Sequence, residues 1–199
     1  KPTEGSGYTY TGPMTISSTT CLRIGAFRPG WMPCELQTHT YIFPGQVLSQ
    51  SNRPPGFPTT WGSTAPDYEM DPDIVNNATY RSQLPAALKS LATMSLVMNL
   101  DDLFGANGIY TNWGSSGSAW ERPGSVELFY PDDAEGDEGF HVECGVRIYG
   151  GVGRRELKKS FRLQFTRDYG PTKLRFPLFG EDAADAFDQL ILRANFNDA

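Results

Sequence analysis

The chain is poor in the residues that bind transition metals and build disulfide frameworks. Its 199 residues include 2 histidines and 3 cysteines, and no cysteine–histidine spacing typical of zinc ligands occurs. An odd number of cysteines cannot all pair within one chain. Cys21 and Cys34 flank a short segment and would suit either a disulfide in an oxidising compartment or free thiols. Cys144 alternates with Val142 and Val146, which predicts a small buried hydrophobic side chain.

Long apolar runs and excess positive charge are also absent. No apolar run reaches the roughly 18 residues of a membrane-spanning helix, and no signal peptide opens the chain. The net charge of −6 and the isoelectric point near 4.9 argue against nucleic acid as a partner, because a phosphate backbone is bound by clustered lysine and arginine. Since the last motif stops within an element, we expect that the chain is an excerpt of a longer polypeptide.

What the chain has in plenty is apolar and aromatic residues, at 39% and 13%, which is ample for a folded core. Periodicity predicts an α+β fold with a mixed, mainly antiparallel sheet of about five strands and a few helices. The strand at 142–149 and the strand at 160–165 are expected to pair in antiparallel fashion. The other predicted strands lie in residues 93–100, 125–130 and 190–192, and short helices are predicted after Asp71 and over 80–91.

Composition divides the chain into three parts. Residues 1–43 alternate short β-prone pieces, among them 8–10, 21–27 and 38–43, with turn signals, which predicts the remnant of a β-sandwich. Residues 44–75 are rich in proline and glycine and are predicted to be an ordered linker. Residues 76–199 are predicted to hold the main domain.

Two adjacent lysines stand at the entry of the best-defined strand. Phe161 and Leu163 share one face, and Lys159 falls on that apolar side. Because an ammonium on a core face needs an anion or a water-filled cleft, Lys158 and Lys159 are candidate phosphate ligands, with Lys159 expected to point inward. The alternative is a strand-entry lysine whose amine reaches water along the apolar surface.

Two arginines on the strands that are expected to pair are further candidates. Arg147 and Arg162 each lie on the face opposite the hydrophobic set of their strand. They would either flank the same phosphates or bridge to carboxylates such as Glu127 or Glu143. The basic segment 147–175 that contains them would likewise receive a small anion or balance the acidic loop 132–138.

The glycine-rich turn at 150–155 lacks the spacing of a phosphate-binding loop, so a hairpin turn is the preferred interpretation. The acidic loop does not match a calcium-binding register and is interpreted as a solvated hairpin tip. No catalytic residue and no metal ligand is predicted.

Several ordered motifs carry a family resemblance. GVRIYGG at 145–151, KKSFRLQF at 158–165, KLRFPLFG at 173–180 and FDQLILRANFND at 187–198 follow one another. With the upstream runs LATMSLVMNLDDLFGANGIYTN and WERPGSVELFYPD, this order resembles the amino-terminal part of the CotH kinase-like family, the atypical secreted kinases of spore coats. Residues 1–43 resemble the last strands of the immunoglobulin-like module at the carboxyl end of chitobiase-type enzymes.

The resemblance implies a kinase N-lobe-like fold and a phosphate-binding role for the Lys-Lys-Ser-Phe-Arg motif. It also implies ATP and Mg²⁺ as cofactors of the complete parent, a protein hydroxyl as acceptor, further domains of the same polypeptide and an extracellular or cell-surface location. The family's catalytic and metal-binding aspartates would follow residue 199, so turnover by this excerpt alone is not expected. The alternative hypothesis is a non-catalytic structural or adhesive module of a large surface protein.

Overall fold

The computed structural model describes residues 2–32, 34–61, 63–130 and 139–194. It confirms the predicted class, an α+β fold with a mainly antiparallel five-stranded sheet. The helices are α1 (Pro44–Val47), α2 (Pro72–Val75), α3 (Leu84–Lys89) and α4 (Leu100–Phe104). The strands are β1 (Thr20–Ile24), β2 (Gln37–Tyr41), β3 (Thr93–Met98), β4 (Arg122–Phe129), β5 (Phe140–Tyr149), β6 (Ser160–Gln164), β7 (Leu174–Arg175), β8 (Ala186–Phe187) and β9 (Gln189–Leu192).

The five-stranded sheet has the order β3-β4-β5-β6-β9, and each of its strands corresponds to a strand predicted from the sequence. β5 pairs antiparallel with both β4 and β6, and β6 pairs antiparallel with β9. The predicted antiparallel pairing of β5 with β6 is therefore confirmed. β3 is half-buried along its length.

Alternation gives the sheet one apolar and one polar face. Val146 lies opposite Leu163 across β5 and β6, and neither side chain is exposed to solvent. Successive strand residues point to opposite sides, so the residues between them form the polar face, on which Arg147 lies opposite Arg162. The core consists of Ile109, Val126, Leu128, Val142, Cys144, Val146, Ile148, Leu163, Phe165, Leu174, Leu190 and Ala194.

The chain forms two compact units. The first consists chiefly of Lys1–Pro54 and Asp67–Ser95, and the second of Pro55–Pro66, Leu96–Leu128 and Gly139–Ala199. The second unit contains most of the five-stranded sheet and the small β7–β8 sheet. None of the helices in the described ranges is long and apolar enough to span a bilayer.

The first unit contains two cysteines, Cys21 on β1 and Cys34 in the connection between β1 and β2. Cys21 lies opposite Thr40, whereas Cys34 donates its backbone N–H to the Ala26 carbonyl at 3.2 Å. Ala26 follows Cys21 by five positions, and five steps of extended chain span roughly 16 Å, whereas a disulfide needs Cα atoms within about 7 Å. Neither of these described cysteines forms a disulfide, and this spacing argues against the Cys21–Cys34 disulfide that the sequence left open.

Some local predictions need correction. The helix predicted over 80–91 is the shorter α3, which has a proline in its first turn and ends at Lys89. Leu91, the last residue of the predicted helix, lies beyond α3 and is 71% exposed. Residues 8–10 form no strand. β1 and β2 pair with each other, and residues 8–10 remain exposed. The acidic loop 132–138 lies outside the described residues.

Candidate anion-binding site

An arginine pair on the polar face of the sheet is the centre of the candidate site. Arg147 and Arg162 occupy directly opposite positions on β5 and β6, an arrangement that is ordinarily destabilising for like charges. The Arg147 Nε lies 3.7 Å from the Glu121 Oε2, so Arg147 contacts a carboxylate, and this carboxylate is one that the sequence did not suggest. The Arg162 guanidinium lies 4.9 Å from the centre of the Tyr149 ring.

Both arginines line a cavity of about 310 Å³ in the second unit. Its lining includes the end of β5, the loop 115–117 and Trp120. We call this space the arginine cavity. Within the described part of the chain, the buried Arg162 Nε has no hydrogen-bond partner. A buried unsatisfied donor costs roughly 1–3 kcal/mol, so an acceptor at this position would be stabilising.

A third arginine of the cavity is already occupied by the protein. Arg154 donates from Nε to the Trp113 carbonyl at 2.8 Å, from Nη1 to the Ile148 carbonyl at 2.6 Å and from Nη2 to the Ser115 carbonyl. Burial lowers the pKa of Arg154. The hydrogen bonds hold the loop 113–115 against the end of β5, so Arg154 shapes the cavity and adds positive charge to it.

A second cavity of about 460 Å³ adjoins the first, and we call it the lysine cavity. It is lined by Lys158, Ser160 and Arg193, with Tyr149, the turn 150–153, Ile191 of β9 and Ala194. The two cavities share Tyr149, Gly150 and Gly151 in their linings. Among the described residues, no aspartate or glutamate lines either cavity. In a chain of net charge −6, these linings are therefore a local concentration of positive charge.

Lys159 lies outside both linings and does not face an open cleft. The residue is 7% exposed, which confirms its predicted apolar side, but its Nζ donates to the Glu156 carbonyl at 2.5 Å. It also lies 4.7 Å from the centre of the Tyr110 ring and 5.7 Å from that of Trp113. Burial lowers its pKa, Glu156 opposes that shift and Arg154 adds to it. We call this arrangement the lysine cage.

A polar network flanks the arginine cavity next to Glu121. Tyr169 is hydrogen-bonded to Glu121, and burial, the Glu121 charge and that hydrogen bond together raise the pKa of Tyr169 to about 12. A Cβ on Gly145 would lie 2.5 Å from the Glu121 Oε1 and 2.5 Å from the Tyr169 ring. Gly145 is therefore the residue that allows Glu121 to lie close to both Tyr169 and Arg147.

A serine–histidine pair lies farther along the polar face. The Ser125 Oγ lies 2.9 Å from the His141 Nε2, and the Glu143 Oε1 lies 3.8 Å from the same nitrogen. Ser125 is 1% exposed. Because a nucleophilic hydroxyl must reach its substrate, this pair satisfies a buried hydroxyl and gives no sign of catalysis.

Part of the candidate site was predicted from the sequence. The prediction included Arg147, Arg162 and Lys158, which the structure brings to the two cavities. It missed the loop 115–117 and Trp120, together with Tyr110 and Trp113 of the lysine cage. These residues lie about 30 to 50 positions from their partners along the chain, and no local periodicity indicates such a return. The one signal in the sequence was the family-like run LATMSLVMNLDDLFGANGIYTN, which contains Tyr110.

The site can be compared with the ligands that the resemblance implies. The cationic linings fit phosphate groups, whereas the described residues contain no group of at least 3 histidine, cysteine or acidic side chains placed to hold a metal ion. Comparisons with protein-family models, with curated proteins and with solved structures found no match for this chain. The proposed function therefore rests on the chemistry of the candidate site.

Proposed function

We propose that the second unit binds the phosphate groups of a nucleotide, and that Arg147 and Arg162 receive them. The observation that carries this proposal is the opposed arginine pair in a cavity without a lining carboxylate among the described residues. Glu121 offsets the charge of one arginine, which leaves net positive charge on the cavity. A bound anion would remove that repulsion.

Phosphate is the anion that suits these side chains best. Guanidinium groups present planar forks of donors that match phosphate oxygens, and the lining adds the hydroxyls of Ser115 and Ser116. The aromatic residues Trp120 and Tyr149 line the same space and would offer apolar surface to a nucleoside. These features support a nucleotide over free phosphate.

The resemblance to CotH-like kinases supports ATP as that nucleotide. On this proposal the full-length parent is a secreted atypical kinase that uses ATP with Mg²⁺ and transfers phosphate to a protein acceptor. The described residues of this chain supply the phosphate-binding side chains. They would bind and orient the phosphates and lower their negative charge, while Mg²⁺ would add the remaining charge neutralisation.

Isothermal titration calorimetry of ATP with Mg²⁺ into the purified chain tests the proposal. We expect saturable binding that weakens roughly tenfold or more in Arg162→Gln, since a charge-assisted hydrogen bond contributes about 1.5–3 kcal/mol. Arg175→Gln is the matched control, because Arg175 is exposed on β7 and lines neither cavity. Absence of binding by the wild-type chain, or equal binding by Arg162→Gln, would overturn the proposal.

The lysine cage favours a second candidate function. Lys159, which the kinase hypothesis assigned to phosphate, is instead bound by the protein itself. A kinase-like sheet kept as the scaffold of a structural or adhesive module would tolerate such a change. On that hypothesis the titration shows no ATP binding, and thermal stability is unaffected by ATP.

A further inference from the structure

We infer that the chain associates head to tail, with the connection between β7 and β8 of one copy docked in the arginine cavity of a second copy. We call residues 179–185 of that connection the β7–β8 tip. The inference concerns the same cavity as the proposed function but does not require nucleotide binding, because the ligand here is a set of protein carboxylates.

The β7–β8 tip is an exposed acidic segment with one large apolar side chain. All residues of 179–185 are exposed, and Phe179 is 69% exposed. The tip contains Glu181, Asp182 and Asp185 but no basic residue. The described part of the chain gives none of these three carboxylates an ion pair. An aromatic ring beside unpaired charges is therefore available to a partner that offers cations and apolar surface.

The arginine cavity offers the complementary surface. Arg147 and Arg162 line it, and the buried Arg162 Nε has no acceptor among the described residues. Guanidinium groups bind carboxylates through paired, charge-assisted hydrogen bonds. Trp120 and Tyr149 line the same space and would contact the Phe179 ring. The cavity thus matches both kinds of side chain that the tip presents.

The base of the tip and the cavity lie at opposite ends of β5. This strand begins at Phe140, and the seven steps from there to Arg147 span about 23 Å. The Phe140 ring lies 5.2 Å from the ring of Phe176, which follows β7 and leads to the tip. No tip residue belongs to the described lining of the arginine cavity. Both surfaces of one copy are therefore available to other copies.

The expected contact is heterologous, because the surface that supplies the tip differs from the surface that receives it. Such contacts join copies into open chains unless the rotation between copies closes a ring. A tip of this length buries less than the roughly 800 Å² per partner of a stable complex. We therefore expect a dissociation constant of about 10–100 µM that is sensitive to salt.

Sedimentation velocity of the purified chain at about 5–500 µM tests the inference. We expect the average mass to rise above the 22.0 kDa of one copy and to fall back in about 500 mM NaCl. The tip variant Glu181→Lys/Asp182→Lys and the cavity variant Arg162→Gln should each associate at least about tenfold more weakly. The tip variant changes only exposed side chains, so its fold is expected to be intact.

Matched controls change the same charges elsewhere. Glu4→Lys/Glu35→Lys and Arg53→Gln alter exposed residues of the first unit and should associate like the wild type. A wild-type chain that keeps the mass of one copy at every concentration overturns the inference. Association that neither the tip variant nor the cavity variant weakens more than its control also overturns it.

A mixture of the two variants tests the head-to-tail geometry. The tip variant keeps an intact cavity and the cavity variant keeps an intact tip, so an equimolar mixture retains one complementary pair. We expect a dimer of one copy of each variant that does not grow further with concentration. A mixture that associates no better than either variant alone overturns the inference.

ATP with Mg²⁺ separates this inference from the proposed function. Phosphates and tip carboxylates would require the same arginines, so ATP bound in the arginine cavity should dissociate the wild-type assemblies. Assemblies that persist when calorimetry shows ATP to be saturating overturn the contact between tip and cavity. Absence of ATP binding, together with the expected behaviour of the variants and their mixture, overturns the proposed function alone and supports the head-to-tail contact.

Discussion

The Lys159 ammonium lies 4.7 Å from the centre of the Tyr110 ring, and Tyr110 in turn donates its hydroxyl to the Leu157 carbonyl at 2.8 Å. Lysine and tyrosine thus hold each other against the turn that leads into β6. The charge is balanced by two aromatic faces and the Glu156 carbonyl. Such contacts stabilise a cation that has lost most of its water.

Replacing Lys159 by methionine should leave ligand binding intact. Methionine keeps most of the volume and removes a desolvated charge, so we expect a change in the free energy of unfolding within about 1.5 kcal/mol. ATP affinity should equal that of the wild type, because Lys159 lines neither cavity. Denaturant unfolding and calorimetry provide the two measurements. Lys159→Ala is the comparison, and its cavity should cost about 2–4 kcal/mol. A loss of ATP binding in Lys159→Met with the fold unchanged would restore Lys159 as a phosphate ligand.

The sheet could be predicted because its signals are local. Alternation of apolar and polar residues gives the strand and its buried face, as in Val142, Val146 and Leu163, which are all buried. The antiparallel pairing of β5 with β6 followed from their proximity along the chain. Helices were less predictable, since the ends of short segments such as α3 depend on capping and packing.

The site could be predicted only in its charged residues. Arg147 and Arg162 were identifiable because each occupies a polar position of an alternating strand, on the face opposite the apolar residues. The inward direction of Lys159 was also correct, yet what it meets depends on a loop that returns from residues 110–113. Strand periodicity predicts the face of the sheet on which a side chain lies, but not the groups that the side chain contacts. The sequence therefore could not distinguish an anion next to Lys159 from an aromatic cage around it.

The buried thiol of Cys144 should make the protein sensitive to alkaline pH. Burial and the charges of Glu143 and Glu121 raise its pKa from 9.0 to about 12. The unfolded state therefore loses the thiol proton first, so this stabilising contribution is complete below pH 9 and is lost as the pH rises to about 12. One such group changes the free energy of unfolding by at most about 1.4 kcal/mol per pH unit.

Denaturant unfolding between pH 8 and about 10.5 measures this effect. The stability of the wild type should fall more steeply than that of Cys144→Ala, which has a lower stability at pH 8 but lacks the titrating thiol. Tyr169 has the same sign above pH 10, whereas the lowered pKa of Lys159 has the opposite sign. Parallel curves for the two proteins between pH 9 and 10 would contradict the prediction.

Gly145→Ala should disturb the network beside the arginine cavity. The new Cβ would lie 2.5 Å from the Glu121 Oε1 and from the Tyr169 ring, so both side chains must move. We expect a loss of roughly 1–3 kcal/mol of stability, measured by denaturant unfolding. Gly114→Ala is the matched control because its Cβ would meet no atom within 4 Å. Equal stability of the two variants would show that the Glu121–Tyr169 contact is easily rearranged.

Arg154→Lys should separate the shape of the arginine cavity from its charge. Lysine keeps the positive charge, but a single ammonium cannot reproduce the planar fork that serves the carbonyls of Trp113, Ile148 and Ser115. We expect a loss of about 2–4 kcal/mol of stability and weaker ATP binding, since the loop 115–117 lines the cavity. Arg155→Lys is the control, because Arg155 contacts the neighbouring Glu156 at an exposed position. Calorimetry at a temperature where both variants are folded distinguishes the effects. If Arg154→Lys binds ATP as tightly as Arg155→Lys, the loop does not contribute to binding and the charge of residue 154 is what the ligand requires.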